Sequence, residues 1–225
     1  MLYQPEAFRE QDTAALHALI EAYGFATLIS PDAEDPPISH LPLLLDRTRG
    51  PLGTLIGHMA RGNPHARRLR ANPGVLALFH GPHTYVSPSW YAHHPSVPTW
   101  NYAVVHAHAT AQVIEDPAAL EQMVRALVER QEAGRPQPWR MDLPSGYLDR
   151  MLRGIVGFEL RIEQLAGKFK LSQNRPGDDV ERVAQALAEG SAEDQEVARL
   201  MHEALEARTA VDAEGAGASG DKREG

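Results

Sequence analysis

LGTLIGHMARGNPHARRLRANPGVLALFHG, residues 52–81, changes its hydrophobic period twice and so decides the fold. LGTLIGHM (52–59) has strand character, and the ARGNP loop that follows leads into a short helix. Asn63 is a good helix N-cap and Pro64 fits the first helical position, where a missing N–H costs nothing. After NPG (72–74), VLALFHG reads as a buried strand. A helix entered from a strand presents N–H groups and a partial positive charge. Gly62 and Asn63, with Arg61 beside them and Arg67, Arg68 and Arg70 nearby, are therefore a candidate phosphate cradle. An ordinary capped helix with a solvated arginine face explains the same residues.

Outward from this stretch, the same alternation of strands and short helices continues. Towards the N-terminus, Leu16, Leu19, Ile20 and Tyr23 predict a helix over 13–23, capped by Asp12 and ended by Gly24. FATLIS (25–30) and ISHLPLLL (38–45) predict an antiparallel hairpin around PDAEDPP. Towards the C-terminus, residues 82–102 read as an irregular loop with four prolines and two of the three tryptophans. A strand over 103–115 follows, then a helix from Asp116-Pro117 to about Ala133, a short helix capped by Ser145, and a strand over 155–165. The expectation is a mainly β fold of six or seven antiparallel strands with peripheral helices. Residues 1–177 would form that domain. Residues 178–210 would be a helical extension, with Ser191 and Asp194 as a capping box, and residues 211–225 a disordered tail.

Composition narrows the function classes. With no Cys among 225 residues there is no disulfide framework, thiolate zinc site or thiol nucleophile, and the chain suits a reducing cytosol. No apolar run is long enough to span a bilayer and the N-terminus lacks a signal core, so a cytoplasmic protein without membrane contact is expected. The net charge of −8 argues against nucleic acid only until its distribution is read. Residues 178–225 carry 13 acidic and 5 basic side chains, whereas residues 1–177 carry 17 of each. The body is neutral.

Two further groups invite chemistry. In GKFKLSQNRP (167–176), Lys168, Lys170 and Ser172 fall in phase on an extended segment and could hold a phosphate; an edge strand protected by lysines reads equally well. His106 and His108 share one strand face, and His58, His80, His83, His93 and His94 add imidazoles. Carboxylates at metal-ligand spacing are missing from the sequence around them, so no metal site is expected. Trp100 is expected to pack, with Trp90 and Tyr91 left as candidate pocket walls. No nucleophile, zincin or dinucleotide motif occurs, and no catalytic residue is assigned.

The order of FATL, LPLLL, a third strand running into ARGNPHARRLRANP, and VLALF resembles the flavin-binding split barrels related to pyridoxamine-phosphate oxidase. SHLPLLL (39–45), GHMARGNP (57–64), GPHTYVSPSWY (81–91), VPTWNYAVVHAHA (97–109) and IVGFELRIEQLAGKFKLSQNRP (155–176) more closely resemble the successive blocks of the PaiB family, over roughly residues 1–205. That family is described as FMN-binding negative transcriptional regulators. The resemblance implies an antiparallel split β-barrel of the FMN-binding type with C-terminal helices, forming a homodimer with the ligand at the subunit interface. Carried over by position, the implied contacts are His40, Leu41, His58, Met59, Ala60, Arg61, Asn63, Lys168, Lys170, Ser172 and Gln173. Phe169 stands where the family more often has Trp, and Ala109 where a glycine is usual. Haem is the alternative cofactor, because some split barrels bind it. A flavin-dependent oxidoreductase and a cofactor-free interaction module are the alternative functions. DNA is an implied partner, but no helix-turn-helix is recognisable; the helix at 64–71 and the C-terminal helices are the candidates for contact.

Overall fold

Strand alternation organises the computed structural model, which describes residues 2–31 and 34–219. In chain order the strands are β1 (Arg9–Glu10), β2 (Phe25–Ile29), β3 (Ile38–Pro42), β4 (Leu44–Asp46), β5 (Thr54–Ala60), β6 (Gly74–Val86), β7 (Thr99–Ile114) and β8 (Ile155–Lys170). The helices are α1 (Thr13–Ala22), α2 (Pro64–Ala71), α3 (Pro117–Glu132), α4 (Tyr147–Leu152), α5 (Gly177–Ala188) and α6 (Ala192–Ser219). The sheet runs β3-β2-β6-β7-β8-β5-β4, with the two-residue β1 pairing β8 off this path. The β2–β3, β2–β6, β4–β5 and β5–β8 pairs are all antiparallel.

The chain divides into two compact units, each discontinuous in sequence. One comprises Gln11–His80 and Val105–Gly167 and holds the β2–β3 hairpin, the β4–β5 pair, α1 to α4 and most of β7 and β8. Its core is built from one face of the strands. Ala26, Leu28, Leu41, Leu55, Met59, Ala77 and Phe79 are buried, while their in-between neighbours are half-buried or exposed. Leu120, Met123 and Leu127 of α3 are buried too, and a Cβ on Gly157 would lie 2.7 Å from Leu120 Cδ2. The register sets Gly57 opposite Phe158.

The other unit comprises Met1–Glu10, Gly81–Val104 and Lys168–Gly225. Val180, Val183, Ala184 and Leu187 of α5 and Val197, Ala198 and Met201 of α6 supply much of its core. Buried Asn101 donates through Nδ2 to Ser172 Oγ (3.0 Å) and to Met201 Sδ (3.3 Å).

Several expectations shift. ISHLPLLL is two strands, because at Leu43 the backbone N–H turns to Gly24 O (2.8 Å) and leaves the ladder. The aromatic stretch 82–102 is ordered at both ends as strand: β6 continues to Val86 and β7 begins at Thr99. Ser145 does not cap α4. Gly146 holds that position with φ 72°, which its missing Cβ permits. The Ser191–Asp194 capping box is present, with Ser191 N donating to Asp194 Oδ2 (2.9 Å) and Asp194 N to Ser191 Oγ (3.2 Å). Helix α6 runs through 211–219, where composition predicts a disordered tail, and residues 220–225 lie outside the described residues.

Candidate ligand site

The loop Ala60–Asn63, between β5 and α2, is held by its arginine. Arg61 donates its backbone N–H to Gly154 O (2.9 Å), Nε to Arg153 O (3.0 Å), Nη2 to Ile155 O (2.8 Å) and Nη1 to Glu115 Oε1 (2.8 Å). Arg70, one face of α2 further on, donates to the same Glu115 oxygen (2.9 Å). The two guanidinium groups hold the Glu115 carboxyl below its ordinary range. Two cations on one carboxylate leave the cluster with a net positive charge. Arg67 is exposed on α2, and a Cβ at Gly62 would meet nothing within 4 Å.

The helix start itself is already occupied by protein groups. Asn63 N donates to Ala60 O (2.9 Å), Pro64 has no N–H, and Asn63 Oδ1 accepts from His65 N (3.0 Å). Beneath it lies a polar network that the sequence reading did not foresee. His65, 1% exposed, bonds Ser30 Oγ through Nε2 (3.0 Å) and Ser39 Oγ through Nδ1 (2.9 Å). Asn63 Nδ2 donates to the same Ser39 Oγ (3.2 Å). Burial pushes the His65 pKa down, which favours the neutral ring that this pairing needs. The network bolts the start of α2 to β3 and the end of β2. Its partners are 24 to 35 residues apart, so no local spacing reveals it.

The predicted contacts separate by face and by unit. Leu41 and Met59 point into the core, so only their backbones can meet a ligand. His40 is exposed and bonds Thr27 Oγ1 through Nδ1 (3.1 Å). His58 is half-buried, its Nδ1 has no hydrogen-bond partner, and burial lowers its pKa. Ala60 and Arg61 are exposed, and Asn63 is partly buried in its cap.

Lys168, Lys170, Ser172 and Gln173 belong to the other unit. Lys168 is buried with Nζ 5.1 Å from the Tyr3 ring centre and 5.5 Å from that of Tyr102. Lys170 Nζ lies 5.8 Å from the Phe8 ring centre and donates to Thr99 Oγ1 and Trp100 O, both at 2.6 Å. Burial lowers the Lys170 pKa, and the nearby Lys168 and Arg175 charges add to this. Ser172 is not in phase with the lysines. β8 ends at Lys170 and Ser172 adopts φ 66°, turning its hydroxyl to Asn101. Gln173 closes the same turn, accepting from Leu171 N (2.7 Å) and donating to Phe169 O (2.6 Å). Trp100 is exposed in the single chain and stacks on His83 at 6.3 Å, whereas Tyr91 is buried.

Sheet order, the strand–loop–helix of β5 and α2, and the helical flank define a split β-barrel of the class found in flavin-binding proteins. Two solved structures share the fold. The FAD and haem binding protein from Mycobacterium smegmatis superposes with TM-score 0.56 at 18% identity, covering 81% of this chain and 80% of its own. A flavocytochrome from Azotobacter vinelandii superposes with TM-score 0.55 at 15% identity, covering 78% and 73%. The family described as "Putative FMN-binding domain" matches residues 2–164. The Bacillus subtilis protein named "Protease synthase and sporulation protein PAI 2" is 33% identical over 206 residues, 91% of this chain and 98% of the relative. The chain belongs to this FMN-binding-domain family, and to its PaiB branch. Among the described residues no helix is long and apolar enough to cross a membrane.

Proposed function

We propose that this protein is a cytoplasmic FMN-binding homodimer that acts as a negative transcriptional regulator, with the FMN phosphate at the Ala60–Asn63 loop. The observation that carries the reading is the Arg61–Glu115–Arg70 cluster: two guanidinium groups share one carboxylate beside an open glycine loop. The residues fit a phosphate-bearing ligand. Arg61 is pre-positioned by two carbonyls, so binding costs it little side-chain entropy. Arg67 adds an exposed positive charge, and the buried His58 Nδ1 is a polar atom without a hydrogen-bond partner among the described residues. Bound FMN supplies a redox-active ring and the visible absorption that reports it. No side chain here is assigned a proton-transfer step.

The dimer is supported by the non-core face of the β2–β3 hairpin. Phe25 is 69% exposed and Ile38 56% exposed, and they sit on the face that also carries Ile29 and Pro42. Sedimentation equilibrium is expected to give a dimer that Phe25→Glu dissociates; an unaltered dimer would remove this face from the interface.

For the ligand, FMN titration followed by flavin fluorescence should give saturable binding. Arg61→Ala should weaken it by about tenfold or more, the loss of a charge-assisted bond. Glu115→Gln should tighten it, because the competing anion is gone while the loop keeps its hydrogen bonds. Absence of binding, or weaker binding in Glu115→Gln, contradicts the phosphate assignment. For regulation, a gel-shift screen of genomic fragments should find complexes that weaken steeply with salt. A screen without such complexes removes direct DNA contact.

A further inference from the structure

We propose that His93, Asp178 and Asp179 form a three-ligand site for a divalent transition-metal ion of the zinc type, joining the loop before β7 to the first turn of α5. All three lie in one unit, and one ligand atom from each falls within 4.8 Å of the others. His93 Nδ1 stands 3.2 Å from Asp179 Oδ1 and 3.7 Å from Asp178 Oδ1. Imidazole and carboxylate ligands at about 2.0–2.2 Å from zinc lie roughly 3.3–3.6 Å apart in a tetrahedron, and the two separations bracket that edge. The fourth position faces solvent, since the His93 and Asp178 side chains are each 57% exposed.

A second observation is independent of the clustering. Asp179 is fully buried, and its Oδ2 has no hydrogen-bond partner. Its Oδ1 already accepts from Ala92 N (2.7 Å), His93 N (3.1 Å) and the His93 ring. A buried carboxylate oxygen with no donor is costly, and a cation against the carboxylate offsets that cost. Asp178 is fixed as well, its Oδ1 accepting from Asp179 N (3.0 Å). The neighbouring cation is turned elsewhere, with the Arg175 guanidinium 4.3 Å over the Tyr91 ring and bonded to Ser96 Oγ. Ion binding places the His93 proton on Nε2 and the Nδ1 lone pair on the metal.

The test uses the full chain without an affinity tag, dialysed against chelator and titrated with Zn²⁺ by calorimetry at pH 7.5. One ion per chain is expected, and Co²⁺ in its place should give the visible bands of a four-coordinate site. His93→Ala and Asp178→Asn should each weaken binding by at least about tenfold. The pair His106→Ala and His108→Ala, on β7, should leave it unchanged. Asp178→Asn lies outside the amide clamp made by Asp179, so it reports even where His93→Ala loosens the loop. No saturable binding overturns the site. So does binding that survives both single substitutions or depends on His106 and His108.

Discussion

His65 shows what a single side chain contributes here. It is buried with both ring nitrogens bonded to hydroxyls, so each partner's loss leaves a polar atom stranded. Ser39→Ala removes the acceptor or donor for His65 Nδ1 and for Asn63 Nδ2 at once. It is expected to cost about 1–3 kcal/mol in urea unfolding, the usual penalty for an unsatisfied buried group. The pH dependence follows from the same burial. The folded His65 resists protonation, whereas the unfolded chain takes its proton near the ordinary imidazole value of 6.5. Its contribution is therefore fully present above pH 6.5 and is lost as the pH falls from there towards the lowered folded value. His58 and His106 shift the same way, chiefly by burial, so the native chain should lose stability steadily on acidification. His65→Gln should show a shallower decline between pH 6.5 and 5, by at most about 1.4 kcal/mol per pH unit. An identical slope in the variant means His65 is protonated in the fold. At this scale the sequence was read only in part. Asn63 announces itself as a cap by its place before Pro64, but His65 looks like one more residue of an arginine-rich helix. Its partners are on strands folded back from far along the chain, and Glu115, which pairs both arginines, stands at 45 and 54 residues from them.

Among the elements, those with a clean period are legible, and a strand interrupted by an internal proline is not. Helices α1, α2 and α3 and the strands β2 and β5 follow from apolar spacing and caps, because each buries one face. β6 was cut short at its first proline, Pro82. Alternation nevertheless continues, with Pro82, Thr84 and Val86 buried and His83 and Tyr85 exposed. Thr84 is held there by a bond to Asp194 Oδ1 (2.5 Å), which is contributed by α6 and has no trace in the local pattern. The β5–β8 pair depends on glycine for a different reason. A Cβ on Gly57 would lie 2.7 Å from Leu43 Cδ2 and 3.0 Å from the Phe158 ring, which is itself fully buried. Gly57→Ala is expected to destabilise the protein by about 1–3 kcal/mol through overpacking. In a double-mutant cycle, Gly57→Ala should cost less in the Leu43→Ala background than in the intact chain if the clash is with Leu43. An unchanged cost in that background places the strain at Phe158.

For the whole molecule, the C-terminal helices change meaning. Composition alone makes residues from Asp178 onward an acidic appendage to a neutral body. In the structure they supply core to a unit that also contains Gly81–Val104. Four of their acids have specific work: Asp179 accepts the Ala92 and His93 amides, Asp194 caps α6 and holds Thr84, Glu193 pairs His83, and Glu196 pairs Arg199. The acidic excess is thus partly internal, and less of it is available to repel a polyanion than the net charge of −8 suggests. Removing the helices should therefore do more than lighten the charge. A chain ending at Pro176 loses Met201 from beside Asn101 and the apolar face of α5, exposing Leu171, which is 2% exposed in the intact protein. Hydrogen exchange should show amides 87–102 less protected in the shortened chain, since Ala92 and His93 lose Asp179 as their acceptor and the packing of α5 and α6 is gone. Amides of Thr54–Ala60, paired to β8 within the other unit, should keep more of their protection. If amides 87–102 stay as protected as in the intact chain, the barrel is complete without these helices and the acidic segment is an appendage after all.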